Sequence, residues 1–220
     1  MWLTAPNRIG IAAWQSADSI WRIEARGGRQ GIQLFVGDES LSLVASNDRP
    51  LPLLDEQFVR GRELHLSFSQ GGDDCDFGFR LVIRPAEFGT FRTDANRAVF
   101  EMIVSIQTSL LDSHPTLDLL APAENGVIVR DVAGTGNAVH HAGRDRAAVA
   151  VVLGPHDAPF TSSIDQPGSL RLRLFGEFLE KGVIRRARPW VIADRSQGKI
   201  DDEWVTSAWN ALNESPLPLS

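Results

Sequence analysis

Tyrosine is absent from the 220 residues, and cysteine occurs once. A single thiol excludes an intrachain disulfide, which suits a reducing compartment. Met1–Pro6 has neither the basic start nor the apolar run of a signal peptide, and no stretch is apolar enough to span a membrane. A cytoplasmic location and no membrane partner are therefore the expectation, although a chain whose leader had been removed would look the same. Positive charge is not in excess: 22 Lys and Arg face 28 Asp and Glu, for a net charge of -6. That balance favours solubility and argues against a general nucleic-acid binder, whose footprint is basic. Long linkers, low-complexity tracts and convincing repeats are also missing. With hydrophobic residues at 43% and charged ones at 23%, the composition is that of an ordinary globular protein. At this length one domain spanning 1–220 is the better prior for an all-β chain.

What the sequence has in abundance is alternation. Trp21, Ile23 and Ala25 share one side of a strand, and Arg22, Glu24 and Arg26 the other. After Gly27-Gly28 the pattern resumes at Ile32, Leu34 and Val36, and after Gly37-Asp38 at Leu41, Leu43 and Ala45. Period two with glycine turns predicts an antiparallel meander. Residues 1–18 read as irregular, with a short edge strand near Ile9–Trp14. Asn47–Pro52 reads as a loop because proline interrupts pairing. Leu64, Leu66 and Phe68, then Phe77, Phe79, Leu81 and Ile83, predict a hairpin. In Ala98–Gln107, Phe100, Met102, Val104 and Ile106 occupy one face. Val99 and Ile103 sit on the other with Glu101 and Gln107, as in a central strand covered on both sides. Further strands are expected near Val127–Val132, Ala147–Leu153, Leu170–Phe175 and Val183–Ile192. The period changes at the end: Trp204, Val205, Ala208, Trp209 and Leu212 recur at helical spacing. Asp201 is placed to cap the helix, Asp202 and Glu203 suit its positive end, and Pro216 and Pro218 stop it. The expected fold is an all-β antiparallel two-sheet sandwich, super-sandwich-like, with a C-terminal helix at about 201–213. That helix should bury Trp204 and Trp209 on the sheet.

Catalytic and metal motifs are not evident. Cys75 lies in Asp73-Asp74-Cys75-Asp76, where the carboxylates oppose thiolate formation. A turn-tip cysteine is the plainer account. The acidic cluster lacks the spacing and glycine of an EF-hand loop. Gly134-Thr135-Gly136 follows a strand, but it lacks the third glycine and the helix of a dinucleotide site, so it reads as a hairpin loop. No metal and no cofactor are expected.

The five histidines are the natural acid–base candidates. On a strand His140 and His141 would point to opposite faces and not share a metal; on a loop they could. His65 sits on the polar side of a strand, and His114 precedes Pro115 in a turn. For each, a surface or hydrogen-bonded role is the plainer account. His156 with Asp157 stands out, in the constrained loop Gly154-Pro155-His156-Asp157-Ala158-Pro159. The segment Leu174–Trp190 is the densest mixture of charge and aromatics. Gly176 suggests a bulge that re-aims side chains. Glu177 and Glu180 form a carboxylate pair whose separation would decide any sugar chemistry. The competing account is a surface hairpin in which Arg185, Arg186 and Arg188 pair with those glutamates. Tryptophan faces suit the C–H faces of sugars. Trp21, Trp204 and Trp209 read as core, and Trp190, among arginines and next to Pro189, is the tryptophan expected at the surface.

Long strands joined by polar loops, centred on Phe100-Glu101-Met102-Ile103-Val104-Ser105-Ile106-Gln107-Thr108-Ser109, resemble the galactose-mutarotase type of β-super-sandwich. The resemblance covers residues 20–192 and rests on strand grammar. It implies sugar binding on a concave sheet face and, in the enzymes, histidines working with a carboxylate. This chain departs from the enzymes in lacking tyrosine, in the surroundings of its histidines and in its length.

Three functions follow as expectations. The first is a carbohydrate-binding or accessory protein, with Arg185, Arg186, Arg188 and Trp190 as ligand contacts. The second is a sugar-modifying, epimerase-like enzyme using His156, Asp157 and Glu177. The third is an assembly protein without a small ligand, forming oligomers through an outer sheet face. If a sugar is handled, His156–Asp157 and Glu177–Trp190 should converge on one cavity.

Overall fold

A computed structural model describes residues 1–16, 19–46, 49–71, 75–124, 126–131 and 138–216. Its strands, in chain order, begin with β1 (Trp2–Thr4), β2 (Ile11–Ser16), β3 (Ser19–Gly27), β4 (Gly31–Val36) and β5 (Glu39–Ala45). There follow β6 (Glu56–Arg60), β7 (Glu63–Phe68), β8 (Gly78–Pro85), β9 (Arg97–Gln107), β10 (Thr116–Pro122), β11 (Ile128–Asp131) and β12 (Ala138–Arg144). The last are β13 (Ala147–Val152), β14 (Thr161–Ser163), β15 (Ser169–Phe175), β16 (Ile184–Ala187) and β17 (Trp190–Asp194), before the helix α1 (Asp202–Glu214). One sheet runs β1-β2-β3-β4-β5-β10-β15-β14, and the other β11-β12-β13-β17-β9-β8-β7-β6, with β16 also paired to β9. Every pairing among these strands is antiparallel. The expected sandwich with a C-terminal helix is the observed fold.

Alternation places the core. β3 and β7 bury every second residue, and the buried sets of both sheets meet in one cluster that includes Trp21, Ile23, Leu43, Leu66, Leu81, Phe100, Val104, Leu119 and Leu172. Turns of the meander depend on glycine where φ is positive. Gly27 (φ 71°) is such a position, and a Cβ there would lie 2.0 Å from the Pro52 carbonyl oxygen, so no other residue fits.

β9 is buried on both faces, as its sequence predicts. Its second face belongs to a smaller core in which Val99, Ala150, Val152, Trp190 and Ile192 meet Val205, Ala208, Trp209 and Leu212 of α1. Glu101 lies outside the main core layer but is still only 2% exposed. It is ion-paired with Arg84 and stands 3.5 Å from an Arg188 guanidinium nitrogen. A carboxylate buried this deeply is tolerable only with such partners.

Several local expectations are corrected. β1 forms inside the stretch read as irregular, its indole Trp2 buried and paired in register with Trp14. β6, β10, β12 and β14 were not anticipated. Val183–Ile192 is not one strand but two, β16 and β17, separated at Arg188-Pro189. Trp204 is half-buried rather than core, while Trp209 is buried. Asp201 holds the N-cap position with extended backbone, but its side chain makes no capping bond. Asp73, Asp74 and Gly134-Thr135-Gly136 lie outside the described residues.

Candidate functional site

The break between β16 and β17 builds the site. β13 runs beside β17 as far as the pair Val152–Trp190 and then leaves the sheet. β16 therefore pairs with β9 on one side, and no described strand pairs with it on the other. The departing chain folds back over that open edge as a tight turn. The amides of Asp157 and Ala158 both donate to the Gly154 carbonyl at 3.0 Å, and a 3-10 turn follows over Ala158–Phe160. Prolines 155 and 159 restrict this loop, and the Thr161 hydroxyl donates to the Asp157 carbonyl at 2.9 Å.

Opposite this loop stands the margin of the first sheet. β15 ends on Phe175 (φ 68°) and Gly176 (φ 109°). Two consecutive residues of positive φ turn the chain sharply towards Glu177, and a non-glycine residue in that region costs on the order of 1–3 kcal/mol. Gly176 thus ends a strand rather than forming a bulge within one. Between the sheet margin and β16 lies a pocket of about 300 Å³. His156, Asp157 and Phe160 form one wall, Thr161, Phe175 and Glu177 a second, and Arg185, Arg186 and Ala187 of β16 the third.

His156 and Glu177 are exposed, whereas Asp157 and Arg185 are half-buried. Arg185 donates to a Glu177 carboxylate oxygen at 2.5 Å, so the surface pairing that competed with a catalytic role for Glu177 does exist. Arg186 Nε donates to Ser105 Oγ at 3.2 Å. Burial pushes the Asp157 carboxyl above the usual carboxylate range, against the opposing effects of the Arg188 N–H and charge and of His156. A carboxyl raised in the folded state binds its proton more tightly there than in the unfolded chain. Stability then falls as pH rises through the interval between the two values. Asp157→Asn is expected to remove that slope, gaining on wild type from about pH 4 upward and levelling off above the raised value. Urea midpoints of both proteins across pH 3.5–7 check this, and a difference independent of pH would contradict it.

Of the seven residues singled out in the sequence, five meet in this pocket. Two do not. Trp190 is 5% exposed, lies in the core beneath α1 and packs against Phe88 with ring centroids 5.7 Å apart. Its arginine-rich surroundings suggest the surface, but the helix that covers it comes later in the chain. Arg188 is 6% exposed, and its guanidinium is spent on Glu101 and on the end of α1. Neither lines the pocket. Phe160, Thr161 and Phe175 are lining residues that sequence reasoning missed. Phe160, an aromatic directly after a Pro-rich turn, is the one with a visible signal.

The other candidates resolve as plain structure. His65 stacks on Phe58 at 4.6 Å and bonds Glu63 at 3.0 Å. His114 is exposed, 3.6 Å from Asp112. His140 and His141 are consecutive in β12, so the loop arrangement that would let both serve one metal does not apply. Cys75 is half-buried. A groove of about 880 Å³ lies between α1 and residues 88–97. Its aromatic faces are taken up internally: Phe88 stacks on Phe91, Phe91 meets Trp204 edge-on, and Arg97 sits 3.9 Å above Trp204. Among the described residues no cluster of His, Cys, Asp and Glu is placed to hold a metal ion, and no helix is long and apolar enough to cross a membrane. No known protein family, curated protein or solved structure matches this chain.

Proposed function

We propose that the pocket between β16 and the β14–β15 margin binds a carbohydrate. One observation carries this: two segments about twenty residues apart in sequence, the His156–Asp157 loop and Glu177–Arg186, line a single sugar-sized cavity with Phe160 and Phe175 in its walls. Phenyl faces suit the C–H faces of a pyranose, and the Glu177–Arg185 pair and Thr161 supply acceptors and donors for hydroxyls. The likeness to galactose mutarotases remains part of the proposal at the level of fold. It does not supply the site, because this pocket stands at a sheet margin and not on a concave sheet face. The lone cysteine supports a cytoplasmic place of work.

A second function, acid–base chemistry on the bound sugar, is favoured by Asp157. Its raised carboxyl keeps a proton available at higher pH than an ordinary aspartate, beside His156 and across the pocket from an ion-paired Glu177. Carboxyls in contrasting environments suit the roles of acid and base.

Calorimetric titration with a panel of mono- and disaccharides tests the binding. At least one sugar should bind, with affinity at least tenfold weaker in Phe160→Ala and unchanged in Trp190→Phe, since Trp190 lies outside the pocket. A panel without a binder, or a binder indifferent to Phe160→Ala, would overturn it. For the enzymatic function, Asp157→Asn should bind the same sugar but lose any epimer or anomer exchange seen by NMR.

A further inference from the structure

The second sheet ends on β6, which has a partner on one side only. It pairs with β7 from Glu56–Ser67 to Arg60–Glu63, and among the described residues no strand lies beyond it. Alternate residues of such an edge turn their N–H and C=O groups outward, a ready template for another strand. Proteins usually blunt an exposed edge with proline, lysine or a bulge. β6 reads Glu56-Gln57-Phe58-Val59-Arg60 and has none of these. Phe58 is 43% exposed and Val59 40%. Alternation sends Gln57 and Val59 to the side of the core residues Leu66 and Leu64, and Glu56, Phe58 and Arg60 to the outer face. There Phe58 stacks one ring face on His65, with centroids 4.6 Å apart and planes 4° apart. The other ring face looks out over the open edge. Glu56 accepts a bond from Ser67 Oγ at 3.3 Å. Glu56 and Arg60 are both exposed, and among the described residues neither is ion-paired.

We propose that β6 is a dimerisation edge whose occupant is β6 of a second copy of this chain. The strand is complementary to itself. Antiparallel pairing about a two-fold axis at Phe58 sets Glu56 opposite Arg60 of the partner, and Arg60 opposite the partner's Glu56. Phe58 meets its own counterpart at the axis. Residues directly opposite on one face of an antiparallel pair stand close enough for ion pairs and ring contacts, and a two-fold interface uses the same patch on both copies. An axis at Gln57 or Val59 instead would set Glu56 or Arg60 against Phe58. A pairing of five residues is short, which makes the association weak and concentration-dependent. The far end of the sheet, β11, also exposes Ile128 and Val129. Joining β6 to β11 of another copy, however, would repeat head to tail and grow a filament rather than close a dimer. β6 contributes no residue to the pocket beside β16, so the proposal stands independently of the carbohydrate reading.

Sedimentation velocity on the full chain tests this, at concentrations up to about 500 µM because a small interface binds weakly. Wild type should sediment as monomer and dimer in an equilibrium that shifts with concentration. Glu56→Arg should weaken dimerisation by about tenfold or more, as two attractive cross-strand pairs become two repulsive ones. Arg60→Glu should do the same. An equimolar mixture of the two variants should dimerise again, because each chain then carries the charges complementary to the other. Both substitutions are on an exposed face, and circular dichroism checks that each variant keeps the fold. A wild type that stays monomeric at the highest concentration would overturn the proposal. So would a dimer indifferent to Glu56→Arg, a mixture that fails to associate, or growth into larger polymers.

Discussion

Replacing Phe100 by alanine is expected to destabilise the fold by about 3–5 kcal/mol. The ring is 0% exposed and bridges the two sheets. It lies 6.4 Å from the Trp2 ring of β1 and 6.2 Å from the Trp21 ring of β3, the latter edge-on. Its backbone is pinned on both sides, by Pro85 of β8 and Val191 of β17. Neighbours held this firmly cannot collapse into the space, so the loss includes a cavity term as well as the transfer of the ring, roughly 24 cal/mol per Å³ left empty. Against a total stability of about 5–15 kcal/mol, that is a large fraction. Urea unfolding with an unchanged m-value would measure it. A loss under about 1 kcal/mol would show that the site relaxes far more than dense packing implies.

Truncation after Ile200 is expected to have a comparable or larger effect. It removes Val205, Ala208, Trp209 and Leu212 and uncovers Val99, Ala150, Val152, Trp190 and Ile192 beneath them. Each large apolar side chain kept from water is worth roughly 1.5–3 kcal/mol. The ordering entropy of the helix offsets part of this, which leaves a net loss of several kcal/mol. The truncation also strips Arg188 of its partners at Leu212, Ser215 and Pro216, leaving a buried cation with Glu101 alone. The truncated chain should melt at a markedly lower temperature and bind an apolar dye. If it aggregates, Leu212→Ala in the full chain keeps the question open to measurement, with an expected cost of about 2–5 kcal/mol. An unchanged melting temperature in either protein would mean that α1 does not cover a working core.

The architecture was legible because strand patterning is local. Alternation at Trp21–Ala25, at Ile32–Val36 and at Leu64–Phe68 assigns inner and outer faces without knowledge of any partner strand. The doubly apolar Ala98–Gln107 pointed to a second covering layer, and the helical period from Trp204 to Leu212 pointed to a helix packed on the sandwich; that the one covers the other is seen only in the structure. β6 and β12 were missed because charge, glycine or histidine interrupts their alternation, and β10 because its outward position holds Asp118, buried between Arg171 and Arg173. That triad is invisible until β10 and β15 lie side by side.

The pocket was legible only in part. Local constraint pointed to the His156–Asp157 loop, and local density of charge and aromatics pointed to Glu177–Arg186. Arg188 and Trp190, within the same dense segment, belong elsewhere. On a strand, side chains that alternate in sequence go to opposite faces, and the break at Arg188-Pro189 divides that segment between a pocket and a core.

The sequence alone therefore determined the class of element at most positions, the faces of the long strands and the presence of a terminal helix, since these follow from periods of two and 3.6 within a few residues. Only the tertiary structure decided that β10 enters between β5 and β15 and that β13 leaves the sheet where β16 begins. Only there does α1 settle over Trp190, and only there do the His156–Asp157 loop and Glu177–Arg186 meet in one pocket. Each of these depends on contacts between residues far apart in the chain, where the free energy of packing, rather than local preference, selects the arrangement.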